Sequence, residues 1–177
     1  MALRRAAAYS KHHARPYTRG SKVMSKSYIK AMPPKKLVKM QMGKLKLYRD
    51  GKLNFVTKLV SKEGVQLRDN AIEACRQYVH NKLEKALKDQ FYFEVKPAPH
   101  HILREHKMLT GAGADRMSGG MQLSFGKSSG RAALIKPNQI IFSVATGTEK
   151  HMRLAQSLLQ RVKAKLPCQS RIVIEKR

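Results

Sequence analysis

A long glycine-rich stretch between two strand-like segments limits the folds open to this chain more than any other feature. Six of the eleven glycines lie within residues 111–130. A structureless insertion of that length is uncommon inside a compact domain, and where one occurs it is usually functional or disordered. The stretch with its flanks, residues 100–131, has only two acids, Glu105 and Asp115. The sequence therefore predicts a flexible, cationic loop that enters an anionic environment. Its basic residues are Arg104, His106, Lys107, Arg116, Lys127 and Arg131.

The net charge of +26 indicates a polyanionic partner. Thirty-seven Lys and Arg against eleven Asp and Glu produce a self-repulsion that penalises a compact free protein. A polyanion relieves this repulsion and gains entropy from released counterions, which makes nucleic acid the leading partner and an anionic membrane surface the second. The sequence has no apolar run of about 18 residues or more, so it predicts no membrane span. Its basic N-terminus also lacks the apolar core of a secretory signal.

Residues 1–44 show no sustained periodicity and are strongly basic. Residues 1–50 hold fourteen of the Lys and Arg residues and one Asp, which is half of the net charge. Such a segment buries little apolar area by itself, so we predict an extended nucleic-acid-binding arm, with a loose solvated tail as the alternative. The tyrosines of this segment favour the arm, because aromatic rings stack on unpaired bases. The predicted RNA-binding residues are Arg4, Arg5, Lys11, Arg15, Tyr17, Arg19, Lys22, Lys35 and Lys36.

Regular elements are predicted after residue 44. Apolar residues recur at three- and four-residue spacing from Ala71 to Leu87 and from Met152 to Val162, which predicts two amphipathic helices. The first would end at Lys88 or Asp89, and the second would begin near Thr148 or Glu149. Runs of β-forming residues predict strands at 52–61, 91–96, 101–105, 132–136, 139–146 and 171–177. We therefore expect an α+β fold, in which an antiparallel or mixed sheet and two main helices form a two-layer sandwich. The arm would occupy 1–44, a single RNA-binding domain 45–177, and its functional loop about 104–130.

Catalytic and metal-binding motifs fail on spacing. A phosphate-binding P-loop ending in Gly126-Lys127-Ser128 would need a glycine where this chain has Met121. The segment from His101 to His106 has neither of the helical zinc-protease spacings. Cys75 and Cys168 are far apart in the sequence and belong to no CxxC pair, so free thiols and no structural zinc are expected. The sequence predicts no cofactor and no metal.

Three segments in this order resemble a known family. HHILREHKML, TGAGADRMSGGM and FGKSSGRAA are similar to the archaeal and eukaryotic form of the universal large-subunit ribosomal protein family known as L-sixteen or L-ten-e, and the archaeal form fits best. The likeness continues through RPYTRG at 15–20, the segment 59–79 and the closing LPCQSRIVIE. Two positions depart from the usual pattern: Gln122 replaces a common arginine and Ser128 a common proline.

The resemblance implies a structural protein of the large ribosomal subunit in the cytoplasm, not an enzyme. It implies binding to large-subunit rRNA between the central protuberance and the peptidyl transferase region, with neighbouring ribosomal proteins as further partners and no membrane. It also implies that the glycine-rich loop approaches the acceptor arm of bound tRNA. The loop residues nearest that centre would be Arg104, His106, Lys107, Gly111, Gly113, Asp115, Arg116, Gly119, Gly120 and Met121, with Lys127 and Arg131 at the loop's far end.

The composition alone leaves two alternatives open. One is an RNA-processing enzyme that uses His101, His106 and Asp115. The other is a general RNA chaperone or chromatin-like packaging protein, which would bind nucleic acid with little preference and a steep salt dependence.

Overall fold

The computed structural model describes residues 23–26, 29, 31–105 and 126–177. A short 3-10 helix covers Met24–Lys26, and within these ranges eight strands and three α-helices follow. In chain order they are β1 (Gln41–Gly43), α1 (Leu45–Arg49), β2 (Phe55–Ser61), β3 (Val65–Arg68), α2 (Asp69–Leu87), β4 (Phe91–Val95), β5 (His101–Glu105), β6 (Lys127–Ile135), β7 (Ile140–Thr146), α3 (Glu149–Lys163) and β8 (Ser170–Lys176).

The strands described in these ranges form two antiparallel sheets. The larger sheet has the order β1-β4-β7-β2-β8, and the smaller has the order β3-β6-β5. Neighbours in the sheets are mostly not neighbours in sequence, so long-range pairing holds the domain together. The expected α+β fold with an antiparallel sheet and two main helices is confirmed, with two sheets where the sequence suggested one.

The main core lies between the larger sheet and the two long helices. Alternation in β4 directs Phe91, Phe93 and Val95 into this core. Helix α3 adds one apolar face, and Thr148 caps its N-terminus by accepting a hydrogen bond from the His151 amide. The α2 residues in the core are Ile72, Cys75, Val79, Leu83 and Leu87, and those of α3 are Ala155, Leu158, Leu159 and Val162.

The opposite face of the larger sheet carries a second, smaller core. Val56, Tyr92 and Ala145 point to this face and pack with Leu53. Leu45, Leu47 and Tyr48 of α1 cover them. The larger sheet is therefore covered on both faces, which explains why β2 and β7 are buried along nearly their whole length.

Several element boundaries differ from the sequence-based expectation. Strand β6 begins at Lys127, not at residue 132, because its first half pairs with β5 from Glu105↔Lys127 to Ile102↔Arg131. Strand β2 begins at Phe55, three residues after the predicted start. The sequence missed β1, α1 and β3, since elements of three to five residues are too short to show a period.

Gly43 allows β1 to approach β4 closely. Its φ is +83°, and a Cβ at this position would overlap the carbonyl oxygen of Phe91. That same oxygen accepts a hydrogen bond from the Lys44 amide at 3.0 Å. The position therefore needs glycine both for its backbone conformation and for the space.

Replacing Gly43 with alanine should lower the free energy of unfolding by about 3 kcal/mol, because strain and overlap combine. Gly51→Ala is the matched control, since Gly51 has φ +73° but nothing within 4 Å of its Cβ position. The control should cost about 1 kcal/mol. Urea unfolding followed by circular dichroism measures both, and equal losses would contradict the close-approach explanation.

Candidate nucleic-acid interface

The β5–β6 pair flanks the predicted glycine-rich loop, of which residues 106–125 lie outside the described part of the chain. Its register places Arg104 opposite Ser128 and Glu105 opposite Lys127, with an irregularity between Leu103 and Arg104. Both ends of the loop therefore leave from adjacent positions at one end of the smaller sheet. We call this end the loop base, made of residues 103–105 and 127–131.

Two of the three predicted cations of the loop base differ in their exposure to solvent. Lys127 is exposed, whereas Arg104 is half-buried, and this burial lowers the pKa of its guanidinium below the ordinary value. An arginine retains its charge at neutral pH despite such a shift. The base of the loop is therefore cationic before any contribution from the loop itself.

The chain that precedes β1 is attached to the loop base by two side chains of β6. The hydroxyl of Ser128 donates to the carbonyl oxygen of Ala31 at 2.6 Å. Nε of Arg131 donates to the carbonyl oxygen of Pro33 at 2.8 Å. Arg131 thus serves at least partly to hold another segment of this chain, a role that sequence reasoning did not predict.

Two acids at the start of α2 hold the next part of the same segment. Oδ2 of Asp69 accepts a hydrogen bond from the Lys36 amide at 3.3 Å, and Oε2 of Glu73 accepts one from the Val38 amide at 3.4 Å. Both carboxylates are buried, with 3% and 8% of the residue exposed. We call residues 31–38 the strap, because hydrogen bonds fix it to both β6 and α2.

Glu73 is paired with a buried arginine. Arg76 donates from Nε and Nη2 to the two carboxylate oxygens of Glu73 at 2.8 and 2.5 Å. Its Nη1 also contacts Sδ of Met42 at 3.1 Å, which links the pair to β1. The hydrogen bond from Arg76 lowers the pKa of Glu73 below its ordinary 4.5, while burial opposes this shift. The carboxylate is therefore ionised at neutral pH and compensates its partner.

The strap presents its cations outward. Lys35, Lys36 and, directly after the strap, Lys39 are exposed, whereas the acids that hold the strap, Asp69 and Glu73, are buried. Positive charge on this side of the molecule is thereby left uncompensated at the surface. A surface of this kind attracts phosphate groups.

All the other predicted site residues lie outside the described part of the chain. These are the arm residues Arg4, Arg5, Lys11, Arg15, Tyr17, Arg19 and Lys22 and the loop residues His106, Lys107, Gly111, Gly113, Asp115, Arg116, Gly119, Gly120 and Met121. Their roles remain predictions. The structure brings together Arg104, Lys127 and Arg131 with the segment that carries Lys35 and Lys36.

Within the described ranges, no group of three or more His, Cys, Asp or Glu residues is placed to hold a metal ion. Among the helices of these ranges, none is long and apolar enough to cross a membrane. Cys75 and Cys168 are both free thiols, and burial raises the pKa of Cys75 to about 12. A thiol of that kind is a poor nucleophile at neutral pH.

Comparison with known proteins gives the family. A family model described as ribosomal protein L16p/L10e matches residues 12–173. The chain therefore belongs to this family of structural constituents of the large ribosomal subunit, which are not enzymes. The resemblance noted in the sequence is confirmed.

Individual relatives are similar over nearly the full length. The large ribosomal subunit protein uL16 of Archaeoglobus fulgidus is 42% identical over 164 residues, which cover 92% of this chain and 87% of the relative. The uL16 protein of Thermofilum pendens is 40% identical over 176 residues, covering 99% and 98%. That of Staphylothermus marinus is 39% identical over 176 residues, covering 99% and 95%.

The Glu73–Arg76 pair should give stability that depends on pH. Because the pKa of Glu73 is lower in the folded protein, its contribution is complete above the ordinary 4.5 and is lost as the pH falls through the folded value. Glu73→Gln should cost about 3 kcal/mol at neutral pH, because it leaves the buried Arg76 without its counter-charge. The difference from the unmodified protein should shrink when the pH is lowered well below 4.5, where the carboxylate of Glu73 takes up a proton.

Glu149→Gln is the control for this measurement. Glu149 pairs with Arg153 at 2.7 Å, but the two side chains are 61% and 75% exposed, so the change should cost about 0.5 kcal/mol or less at either pH. Urea unfolding of the three proteins at both pH values measures these differences. A Glu73→Gln effect that is as small as that of Glu149→Gln would contradict the role of the buried pair.

Proposed function

We propose that this protein acts in the cytoplasm as an rRNA-binding constituent of the large ribosomal subunit. In this proposal the body binds large-subunit rRNA between the central protuberance and the peptidyl transferase region. The glycine-rich loop approaches the acceptor arm of tRNA and supports its positioning during translation. Family membership supports the first statement, and the site geometry supports the assignment of roles to particular segments.

The observation that carries the proposal is the strap. Its hydrogen bonds to Ser128, Arg131, Asp69 and Glu73 join the end of the basic arm to the base of the glycine-rich loop. The basic arm and the predicted loop, which the sequence assigns to RNA separately, therefore join the body of the protein at one surface. Binding of the arm to rRNA would fix the position and direction of the loop base.

The chemistry of the surface suits a phosphate backbone. Lys35, Lys36 and Lys127 are exposed and act as mobile point charges. Arg104 and Arg131 are half-buried, so their guanidinium groups are held in fewer orientations. Arginines of this kind bind phosphate in a planar, bidentate way or stack on bases.

A tRNA-directed loop also accounts for the distribution of glycine. Residues 111–120 combine four glycines with Asp115 and Arg116 and no β-branched residue. Glycine lets a backbone approach RNA closely. In the proposal the Asp115 carboxylate orients the neighbouring Arg116, and the body remains anchored on rRNA while the loop extends toward tRNA.

Removing charge from the strap should weaken rRNA binding more than removing the same charge elsewhere. The slope of log K for rRNA binding against log salt concentration should become smaller in magnitude by about 2 in the double variant Lys35→Gln, Lys36→Gln. The reason is that two phosphate contacts are lost. The control is the double variant Lys82→Gln, Lys85→Gln. These two lysines are exposed in the C-terminal part of α2, about 20 Å or more along the helix from Asp69, which holds the strap.

Filter binding to a large-subunit rRNA fragment over a salt series measures these slopes. Sedimentation of each variant with large subunits tests assembly. Equal losses in the strap variant and the control would favour a general RNA chaperone that reads net charge alone. The proposed function predicts a larger loss for the strap variant.

Deleting residues 110–120 should separate the two parts of the proposed function. The body should still bind rRNA and sediment with large subunits, whereas tRNA binding or peptide-bond formation should be impaired. Peptidyl transfer by purified ribosomes that carry the deleted protein measures the loss. Unchanged translation would refute the role of the loop but leave the role of the body intact.

A further inference from the structure

A stack of two aromatic rings and a guanidinium group lies on the face of the larger sheet that α1 covers, and nothing in the sites described above uses it. The rings of Tyr48 and Tyr92 are stacked with centroids 4.7 Å apart and planes inclined by 21°. The guanidinium carbon of Arg177 lies 4.6 Å from the Tyr48 centroid. This distance is typical of a cation–π contact.

Burial decreases along this stack from Tyr92 to Arg177. Tyr92 is only 4% exposed and belongs to the smaller core, Tyr48 is half-buried, and Arg177 is exposed. The stack therefore connects the interior to the solvent. Its outermost member is the planar cation of an exposed residue.

Two backbone contacts hold Arg177 in place. Its Nη1 donates to the carbonyl oxygen of Tyr48 at 2.8 Å, and its amide donates to the carbonyl oxygen of Asn54 at 2.8 Å. A guanidinium that is fixed in this way loses less conformational entropy on binding than a mobile one. The arrangement is preorganised for a flat partner.

The surroundings of the stack are basic. Exposed cations lie on α1, in the turn that follows it and next to Arg177 at the end of β8: Lys46, Arg49, Lys52 and Lys176. The side chains of these segments include two acids, Glu175 and Asp50, and Glu175 is paired with Lys58. Asp50 alone is then left to balance five cationic side chains, Arg177 included. The apolar residues Leu45 and Leu47 are half-buried against the smaller core, so they offer little apolar surface to another protein.

We propose that an unpaired base of the large-subunit rRNA stacks on the guanidinium of Arg177, with the neighbouring phosphates bound by the surrounding lysines and Arg49. This proposal rests on the proposed function only for the identity of the RNA. Stacking on arginine planes and aromatic rings is a common way for proteins to bind single-stranded RNA. The site lies on the face of the larger sheet opposite the main core, so it would be a contact separate from the strap and the loop base.

The test uses large subunits assembled with the full-length protein. Arg177→Lys retains the charge and removes the planar group, and Arg161→Lys, an exposed arginine of α3, is the matched control. Acylation of rRNA 2′-hydroxyl groups should become about fivefold stronger at one unpaired nucleotide in the Arg177→Lys subunits, since the stacked base is released. The control should leave that nucleotide unchanged.

A second variant checks that the change in acylation does not come from a local folding defect at position 177. Tyr48→Leu removes the ring that supports the guanidinium but preserves the backbone carbonyl that accepts from Arg177, and it should raise acylation at the same nucleotide. A photoreactive benzoyl-phenylalanine at position 177 should crosslink to that nucleotide. Crosslinking to a neighbouring protein, or unchanged acylation in both variants, would overturn the proposal. If the unmodified protein failed to sediment with large subunits, the proposed function itself would fail.

Discussion

The ionised carboxylate of Glu73 is the group on which the arrangement of the proposed RNA-binding surface depends. It is nearly inaccessible to solvent, yet it remains charged because Arg76 donates two hydrogen bonds to it. It also accepts from the backbone of Val38, and Arg76 reaches Met42. One buried pair thus joins α2, the strap and β1. A buried charge that lost its partner would be costly, so these segments form a single cooperative unit.

Acidic residues are scarce in this chain, and several of them connect segments that are distant in sequence through hydrogen bonds or ion pairs. Glu63 accepts from the amide of Gln169, and Glu175 pairs with Lys58, across 106 and 117 residues respectively. Asp69 and Glu73 connect segments 33 and 35 residues apart. With a net charge of +26, each such contact opposes the general repulsion locally. Because these acids are engaged within the fold, much of the positive charge remains available at the surface for a polyanion.

The sequence predicted those elements that are long enough to show a pattern. Helices α2 and α3 and strands β4, β5 and β7 lie within a residue or two of their expected bounds, since periods of 3.6 and two residues are visible over such lengths. Strand β1, helix α1 and strand β3 were missed, because each depends on tertiary contacts for its stability. The clearest case is Gly43, whose positive φ and close approach to Phe91 exist only once β4 is in place.

By itself, the sequence determined the fold class and the family, because these follow from periodicity and motif order. The polyanionic partner and the cationic loop, which follow from composition, stay predictions. The tertiary structure decided which residues share a surface. Ser128 and Arg131 contact carbonyl oxygens 97 and 98 positions away. Every residue has a backbone carbonyl, so the sequence does not indicate which of them accepts these hydrogen bonds. The stack of Tyr92, Tyr48 and Arg177 likewise joins three separate segments. Such groups are brought together by strand pairing, which depends on the packing of the whole domain and not on any local pattern.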